Sequence, residues 1–366
     1  MNFLVKAKKM SSSDRKGILE ELTEDIEGCS IADLKTSVTR VGSWTKILKY
    51  LHVVQHIMMA CKLTSPKYTM RNGSEKAKIQ SIKKFAKLGK LGKTLKVVER
   101  KDTMGPTEAE FLSSFSSLHP KREDSLRNWT GGIHIEAEDA DRMNAPVTEE
   151  ELDLVLSKCD RNSAPGYDGT SFYALRAVLT EENSTLRSLF RETMTNMLIR
   201  SFNNDLHIEI RKMWSTTALT MIPKGNNSFR PIGITSSFAR ILQRLSKKRI
   251  ESKIAQHLMP HQQAIGTKDG MSIVAGLAQQ GFNHGTVSTF DARNAFNLIK
   301  REKVFEGLKQ MAPECIGIFK LFYGNPNMVY TGRGQFVGHI YTGVIQGDAL
   351  AMLFYCVAIA PLLTEI

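Results

Sequence analysis

Apolar residues recur along this chain with two different periods. In the first third they fall every three or four positions, the spacing of one helix face, at Ile79, Ile82, Phe85, Leu88, Leu91 and Leu95. Gly89 and Gly92 lie inside this pattern and weaken it. From about Asn144 onward, helical patterns alternate with short β-branched runs such as "STTALTMI", "GTVSTF" and "NMVYTG". This alternation predicts an α+β or α/β domain.

Two helix starts are marked by capping boxes, in which a threonine precedes a glutamate by three positions: Thr107 with Glu110, and Thr148 with Glu151. Val147 and Leu152 flank the second start with the spacing of a hydrophobic staple. The polar stretch 121–143, which contains Gly131 and Gly132, predicts a linker between the two helices.

The last apolar run is the longest in the chain. From Ala349 to Leu363 it has 15 uncharged residues, fewer than the roughly 18 to 20 that span a bilayer, and it contains Pro361. It therefore predicts a buried helix rather than a membrane anchor.

Composition adds a strong positive charge to this picture. The 366 residues carry a formal net charge of +13, and the range 62–101 contains 13 basic residues against two acids. Such a stretch is either the solvated face of a helix or a surface that contacts nucleic-acid phosphates. The candidate contacts are Lys83, Lys84, Lys87 and Lys90. The five cysteines include no CxxC pair, which favours a reducing intracellular compartment over a disulfide framework or a zinc site.

Two short motifs carry candidate chemistry. Asp291 follows the β-branched run "GTVSTF", where a carboxylate either binds Mg²⁺ or caps the next turn. Lys224 and Arg230 flank the turn "KGNNSFR", and two cations on opposing arms of a hairpin can clamp a triphosphate. The alternative is that they are ordinary surface charges.

The order of five motifs resembles that of a known family. "SAPGYDGTSFYALR", "IPKGNNSFRPIGI", "LMPHQQAIGTKDG", "FDARNAFN" and "GVIQGDALAMLFY" follow one another as the successive motifs of a reverse transcriptase's fingers and palm do. The resemblance covers roughly residues 144–366 and is closest to the polymerases of non-LTR retrotransposons. "KLGKLGKTLKVV" and "PTEAEFLSSFSSLHP" also resemble the region that precedes the polymerase in site-specific elements of that class.

The resemblance implies an RNA template, a DNA primer, dNTP substrates, two Mg²⁺ ions and no membrane. It also implies roles for six residues: Asp291 as the first metal-binding aspartate, Phe296 as the aromatic gate against a ribose 2′-OH, Lys224 and Arg230 as triphosphate ligands, and Gln346 with Gly347 as the loop beside the nucleotide and template. The fold implied is α+β, with right-hand polymerase fingers and a partial palm, and a nuclear location is expected if the source is eukaryotic.

One departure from the family pattern matters. No Asp-Asp pair occurs in the sequence, so the Tyr-x-Asp-Asp motif is missing. We therefore expect three regions: a basic helical extension over 1–104, a helix and linker over 105–143, and fingers with a palm truncated before that motif over 144–366. A complementary C-terminal polypeptide is a further expected partner. The alternatives are a catalytically inactive nucleic-acid-binding remnant and a domesticated reverse-transcriptase-like scaffold.

Overall fold

A computed structural model describes residues 106–120, 133–160, 163–167, 169–179, 184–206, 208–225, 228–332 and 334–365. Their helices, in chain order, are α1 Glu108–Leu118, α2 Ala137–Asn144, α3 Glu149–Ser157, α4 Phe172–Val178, α5 Ser184–Phe202, α6 Ile208–Ser215, α7 Ser237–Leu258, α8 Gly270–His284, α9 Ala295–Leu298, α10 Arg301–Met311, α11 Ile316–Tyr323 and α12 Ala351–Glu365. The strands are β1 Thr217–Gly225, β2 Ser228–Thr235, β3 Asn327–Thr331 and β4 Phe336–Ile340.

The four strands form one mixed sheet in the order β2-β1-β3-β4. β1 pairs antiparallel with β2 and parallel with β3, and β3 pairs antiparallel with β4. The sheet therefore joins two hairpins that lie about 100 residues apart in sequence. The described residues combine this one sheet with many helices, which confirms the α+β class.

The local helix-start predictions are confirmed. Both capping boxes are complete, because each threonine side chain accepts from the glutamate N–H and each glutamate accepts from the threonine N–H. Val147 and Leu152, the predicted staple residues, are both fully buried.

The predicted linker is partly wrong, because α2 lies within it. This helix buries Met143 and is attached to distant parts of the chain by ion pairs. Arg142 reaches Glu314 at 3.1 Å, and Lys253 of α7 reaches Glu314 at 3.2 Å and also contacts Asp139. Charged residues that look like a solvated linker thus form a cluster around the buried Glu314.

The apolar run near residue 350 forms the buried helix that its length predicts. α12 packs against α10, and Leu353, Phe354 and Val357 are fully buried in the core. Within the described residues, no helix is long and apolar enough to cross a membrane.

The predicted strand "GTVSTF" is absent from the sheet. Residues 286–292 form neither a helix nor a strand, and Phe290 is 87% exposed. A strand needs a partner for its backbone N–H and C=O groups, and this segment pairs with none of the described strands. The preceding helix α8 likewise has no buried residue.

The predicted basic extension, including Lys83, Lys84, Lys87 and Lys90, lies outside the described residues. Its contact with nucleic acid therefore stays a prediction.

Candidate nucleotide-binding site

The β1–β2 hairpin places two cations as the sequence predicts. Lys224 lies near the end of β1 and Arg230 lies on β2, opposite Ile222. Both side chains are exposed, and neither forms an ion pair with a residue that the structure describes. Two uncompensated cations near the tip of one hairpin can bind an anionic ligand such as a triphosphate.

The loop 343–348 lies directly against this hairpin. The N–H of Gly233, on β2, donates to the carbonyl of Gln346 at 2.8 Å. Gly347 has φ +122°, and a Cβ there would lie 2.4 Å from the Gly233 carbonyl oxygen. Glycine is required at this position by both its conformation and the close backbone contact. The loop that carries Gln346 is therefore attached to β2 at Gly233, three residues after Arg230.

A buried hydrogen-bond network holds the base of this loop. The Tyr323 hydroxyl of α11 donates to Asp348 at 2.6 Å and accepts from the Ile345 N–H at 3.2 Å, while Thr235 of β2 donates to Asp348 at 3.1 Å. Burial raises the pKa of Asp348 to about 6, although the hydrogen bonds from Tyr323 and Thr235 oppose the rise. Burial also raises the pKa of Tyr323 well above its usual value, with Asp348 adding to the rise.

A second buried group, Arg301 at the start of α10, crosslinks the same loop to the sheet. It is 1% exposed and stacks over the Tyr323 ring, 5.2 Å from the centroid. Its guanidinium donates to backbone or side-chain oxygens of five residues: Gly343, Tyr323, Asn325, Asn327 and Ile340. These bonds connect α10, α11, both strands of the β3–β4 hairpin and the start of the loop.

Phe296 contacts the loop from another element, and Asp291 lies five residues before Phe296. Phe296 is half-buried in α9 and stacks on Tyr355 of α12, with ring centroids 5.1 Å apart. Its carbonyl accepts from the Val344 N–H at 2.8 Å. Asp291 is exposed, and its charge adds to the rise in the pKa of Tyr355, for which burial is the main cause. One loop thus contacts both the cationic hairpin and the segment that carries Asp291 and Phe296.

Asp291 is the candidate metal ligand at this place. The described residues contain no group of three or more His, Cys, Asp or Glu that could hold a metal. Asp348 is near the loop, but both of its oxygens already accept hydrogen bonds inside the core. Asp291 can act as one oxygen ligand, and a site for two ions needs further carboxylates.

Residues 222–366 match the model of a protein family described as reverse transcriptase (RNA-dependent DNA polymerase). Similar proteins are encoded by mobile elements. The chain is 24% identical over 160 residues, 44% of its length, to the retrotransposable element SLACS 132 kDa protein of Trypanosoma brucei gambiense. It is 25% identical over 240 residues, 60% of its length, to the Pol polyprotein from type-1 retrotransposable element R2 of Popillia japonica.

Over residues 222–366 the chain thus matches a reverse transcriptase domain, and the proteins it resembles are those of non-LTR retrotransposons. A third similar protein, the transposon TX1 149 kDa protein of Xenopus laevis, is 21% identical over 270 residues, or 69% of this chain. The matched parts make up 13%, 31% and 20% of these three relatives, so the chain spans less than a third of their length. All the candidate nucleotide-site residues of the reverse transcriptase domain lie within the matched range 222–366.

Sequence reasoning missed several residues that form this site. Tyr323, Arg301 and Thr235 each bond to the loop or to Asp348 from another element. One signal was available in the sequence for Arg301: it follows the candidate Phe296 by five positions, at the start of a helical pattern. Tyr323 and Thr235 carry no such signal, because their roles depend on contacts with residues 25 and 113 positions away.

Proposed function

We propose that this chain provides the fingers and part of the palm of an RNA-directed DNA polymerase, which adds dNTPs to a primer on an RNA template. The observation that carries the proposal is the position of loop 343–348. It bonds to β2, which carries Arg230, through Gly233, and to α9 through Phe296, so one short loop contacts both elements.

Each group of candidate residues has a role in this proposal. Lys224 and Arg230 bind the incoming triphosphate, since both are exposed cations on one hairpin. Phe296 lies beneath the sugar and excludes a 2′-OH, and its stacking on Tyr355 holds the ring in one orientation. Gln346 and Gly347 lie beside the nucleotide and the template, on a loop that is fixed from below by Tyr323 and Asp348.

Asp291 is proposed as a Mg²⁺ ligand. A Mg²⁺ ion at this place would neutralise charge on the phosphates during nucleotide transfer. The remaining carboxylates of a two-ion site come from polypeptide other than the described residues, such as a complementary C-terminal segment.

A second function is favoured by one observation, the single carboxylate at the site. A chain that binds nucleic acid and nucleotides without synthesis would need the cations and the loop but no further metal ligands. This alternative corresponds to an inactive remnant or a domesticated scaffold.

Nucleotide binding tests the site without requiring synthesis. The affinity of the 366-residue chain for a dNTP should fall about tenfold in Lys224→Gln and in Arg230→Gln, because each loses a charge-assisted hydrogen bond. Lys309→Gln, which removes an exposed cation on α10, is the matched control and should bind normally. An unchanged affinity in both hairpin variants would overturn the triphosphate assignment.

Primer extension separates the two functions. The purified, nuclease-free chain is incubated with an RNA template, a DNA primer, dNTPs and Mg²⁺, with and without a second polypeptide that carries the Tyr-x-Asp-Asp hairpin of the family. We expect synthesis only with the second polypeptide, and we expect Asp291→Asn to abolish it while nucleic-acid binding is retained. Synthesis by the chain alone would contradict the need for added carboxylates. Absence of synthesis in both mixtures would support the inactive alternative.

A further inference from the structure

A basic groove lies along α7, and Ala349, which directly follows Asp348, is among its lining residues. It has a volume of about 920 Å³ and is lined by residues of α3, of α7 and of the turn before α8. Five of its lining residues are Lys or Arg and one is Glu: Lys158, Arg244, Lys247, Lys248, Lys268 and Glu251. Since Lys247 pairs with Glu251 at 3.3 Å, the other four cations remain uncompensated by acids lining the groove.

The cations of the groove differ in how they are held, in a way that suits a chain of phosphates. Arg244 is fixed, because its guanidinium donates to the Cys159 sulfur at 2.9 Å and lies 5.5 Å from the centroid of the Phe172 ring. Lys158, Lys248 and Lys268 are exposed, and none of them forms an ion pair with a described residue. A fixed guanidinium with adaptable lysines around it can follow a flexible anionic backbone.

Apolar side chains lie between these charges. Leu154, Val155, Ala255 and Met259 line the same groove. A free anion or an isolated phosphate gains nothing from such a surface, but a single strand of nucleic acid presents both phosphates and unpaired base faces. The combination of cations with interleaved apolar groups therefore favours a single strand over a small anion.

One residue that lines the groove adjoins the loop of the candidate nucleotide site. Ala349 lines it, and the Ala349 N–H donates to the Gln243 side chain at 3.0 Å. Ala349 directly follows Asp348, at the end of the loop that carries Gln346 and Gly347. A strand that leaves this loop can enter the groove and continue along α7 past Arg244 toward Lys268.

We propose that this groove binds the phosphate backbone of single-stranded nucleic acid, and that it guides the template to or from loop 343–348. The part of the proposal that concerns the template rests on the proposed function. Binding of a single strand in the groove does not, because it requires neither dNTP nor metal ion.

Site-resolved protection of lysines tests the groove in the full chain. The exposed lysines are acylated with an amine-specific reagent, with and without oligo(U) RNA or oligo(dT) DNA, in the absence of dNTP and Mg²⁺. We expect acylation of Lys158, Lys248 and Lys268 to fall several-fold with either strand. Acylation of Lys300, Lys303 and Lys309, which are exposed in or beside α10 and do not line the groove, should not change. Binding by any other basic segment cannot imitate this result, since each lysine is measured separately.

A charge-matched pair of variants gives a second measurement. Converting Lys158, Lys248 and Lys268 together to Gln should reduce the slope of log affinity for oligo(U) against log salt by about 2, because each single-strand phosphate contact contributes roughly 0.7. The same change at Lys300, Lys303 and Lys309 should leave the slope unchanged. The dNTP affinity of both triple variants should be normal, so a defect at the hairpin cannot be mistaken for one in the groove.

Three outcomes would overturn the proposal. They are unchanged acylation of the groove lysines on adding either strand, equal protection of the groove and control lysines, and equal protection of the groove by polyglutamate at the same charge concentration. The last result would mean that the surface attracts any polyanion, including an acidic protein. If the dNTP experiments fail but the groove lysines are protected, the groove stands and the proposed polymerase site does not.

Discussion

The hydroxyl of Tyr323 donates a hydrogen bond to the carboxylate of Asp348 across 2.6 Å in the core of the protein. The same hydroxyl accepts from the Ile345 N–H, so one phenol group connects α11 to both ends of the segment 345–348. Gln346 and Gly347, the proposed nucleotide contacts, lie between these two attachment points. The position of the loop therefore depends on a fully buried residue.

Tyr323→Phe should destabilise the fold and loosen this loop. The change leaves the Ile345 N–H unpaired and takes one donor from buried Asp348, at a cost of about 2 kcal/mol in the free energy of unfolding. Urea denaturation measures the cost, and hydrogen exchange at the Ile345 amide should become faster. Tyr330→Phe, at a half-buried tyrosine of β3, is the control and should change stability by less than about 0.5 kcal/mol. Equal effects in the two variants would show that the Tyr323 hydroxyl does not hold the loop.

The buried Asp348 should make stability fall as pH rises. Its pKa is raised to about 6 in the fold, against an ordinary value of 3.8, so the folded state binds the proton more tightly than the unfolded state does. This contribution is complete below pH 4 and is lost as pH rises through 6, a change of about 3 kcal/mol. Asp348→Asn should remove this slope from the free energy of unfolding measured between pH 4 and 7. Asp141→Asn, at an exposed aspartate of α2, should leave it in place.

His119 should produce the opposite slope in the same range. Burial lowers its pKa to about 4, with the Arg301 charge contributing, and neither ring nitrogen has a hydrogen-bond partner among the described residues. The folded state therefore binds the proton more weakly, and stability is lost as pH falls from 6.5 toward 4.

As pH falls from 6.5 toward 4, the His119→Phe variant should therefore become more stable relative to the native protein. The gain is measured as the difference between the free energies of unfolding of the two proteins at each pH. The control is His261→Phe, at an exposed site. A difference that stays constant with pH would contradict a buried neutral imidazole.

Arg301→Lys should cost far more stability than its chemical similarity suggests. A lysine ammonium cannot reach the five residues that the planar guanidinium serves, so several buried oxygens lose their donor. We expect a loss of about 3 kcal/mol or more in the free energy of unfolding. Arg293→Lys, on an exposed side chain, should be neutral, and an equally small effect at Arg301 would exclude it as the crosslink between loop and sheet.

Phe296→Ala should weaken the preference for deoxyribonucleotides. Removing the ring opens space beneath the sugar, so the affinity ratio of a ribonucleoside to a deoxyribonucleoside triphosphate should rise about tenfold. The ratio is measured first by binding to the chain, then by incorporation once synthesis is reconstituted. Phe336→Ala, at an exposed phenylalanine of β4, serves as the control. An unchanged ratio would remove Phe296 from the proposed gate.

The features predicted correctly from sequence are those fixed by near neighbours. Thr107 and Thr148 begin helices because each bonds to a glutamate three residues away. The β1–β2 hairpin is equally local, and it places Lys224 and Arg230 on opposing arms as expected. The burial of α12 follows from a long uncharged run that had to lie in the core.

The features that sequence reasoning missed depend on distant partners. α2 reads as a polar linker because its acids look solvated, yet Asp139 pairs with Lys253, 114 positions later. The segment "GTVSTF" has the composition of a strand, but a strand exists only where another backbone completes its hydrogen bonds. The bonds of Asp348 to Tyr323 and Thr235 likewise join residues 25 and 113 positions apart, so a sequence pattern does not reveal them.

No described residue buries a side chain of α8, and this surface bears on how the purified protein is handled. Met271 is 80% exposed, Phe282 63% and Leu277 58%, and Phe290 lies just beyond the end of the helix. Exposing apolar surface to water costs about 25 cal/mol of free energy for each square ångström. Such a surface binds readily to hydrophobic chromatography resins and to a second molecule as concentration rises. Concentrated samples will therefore need a mild detergent or a covering partner, even when every buried part of the fold is sound.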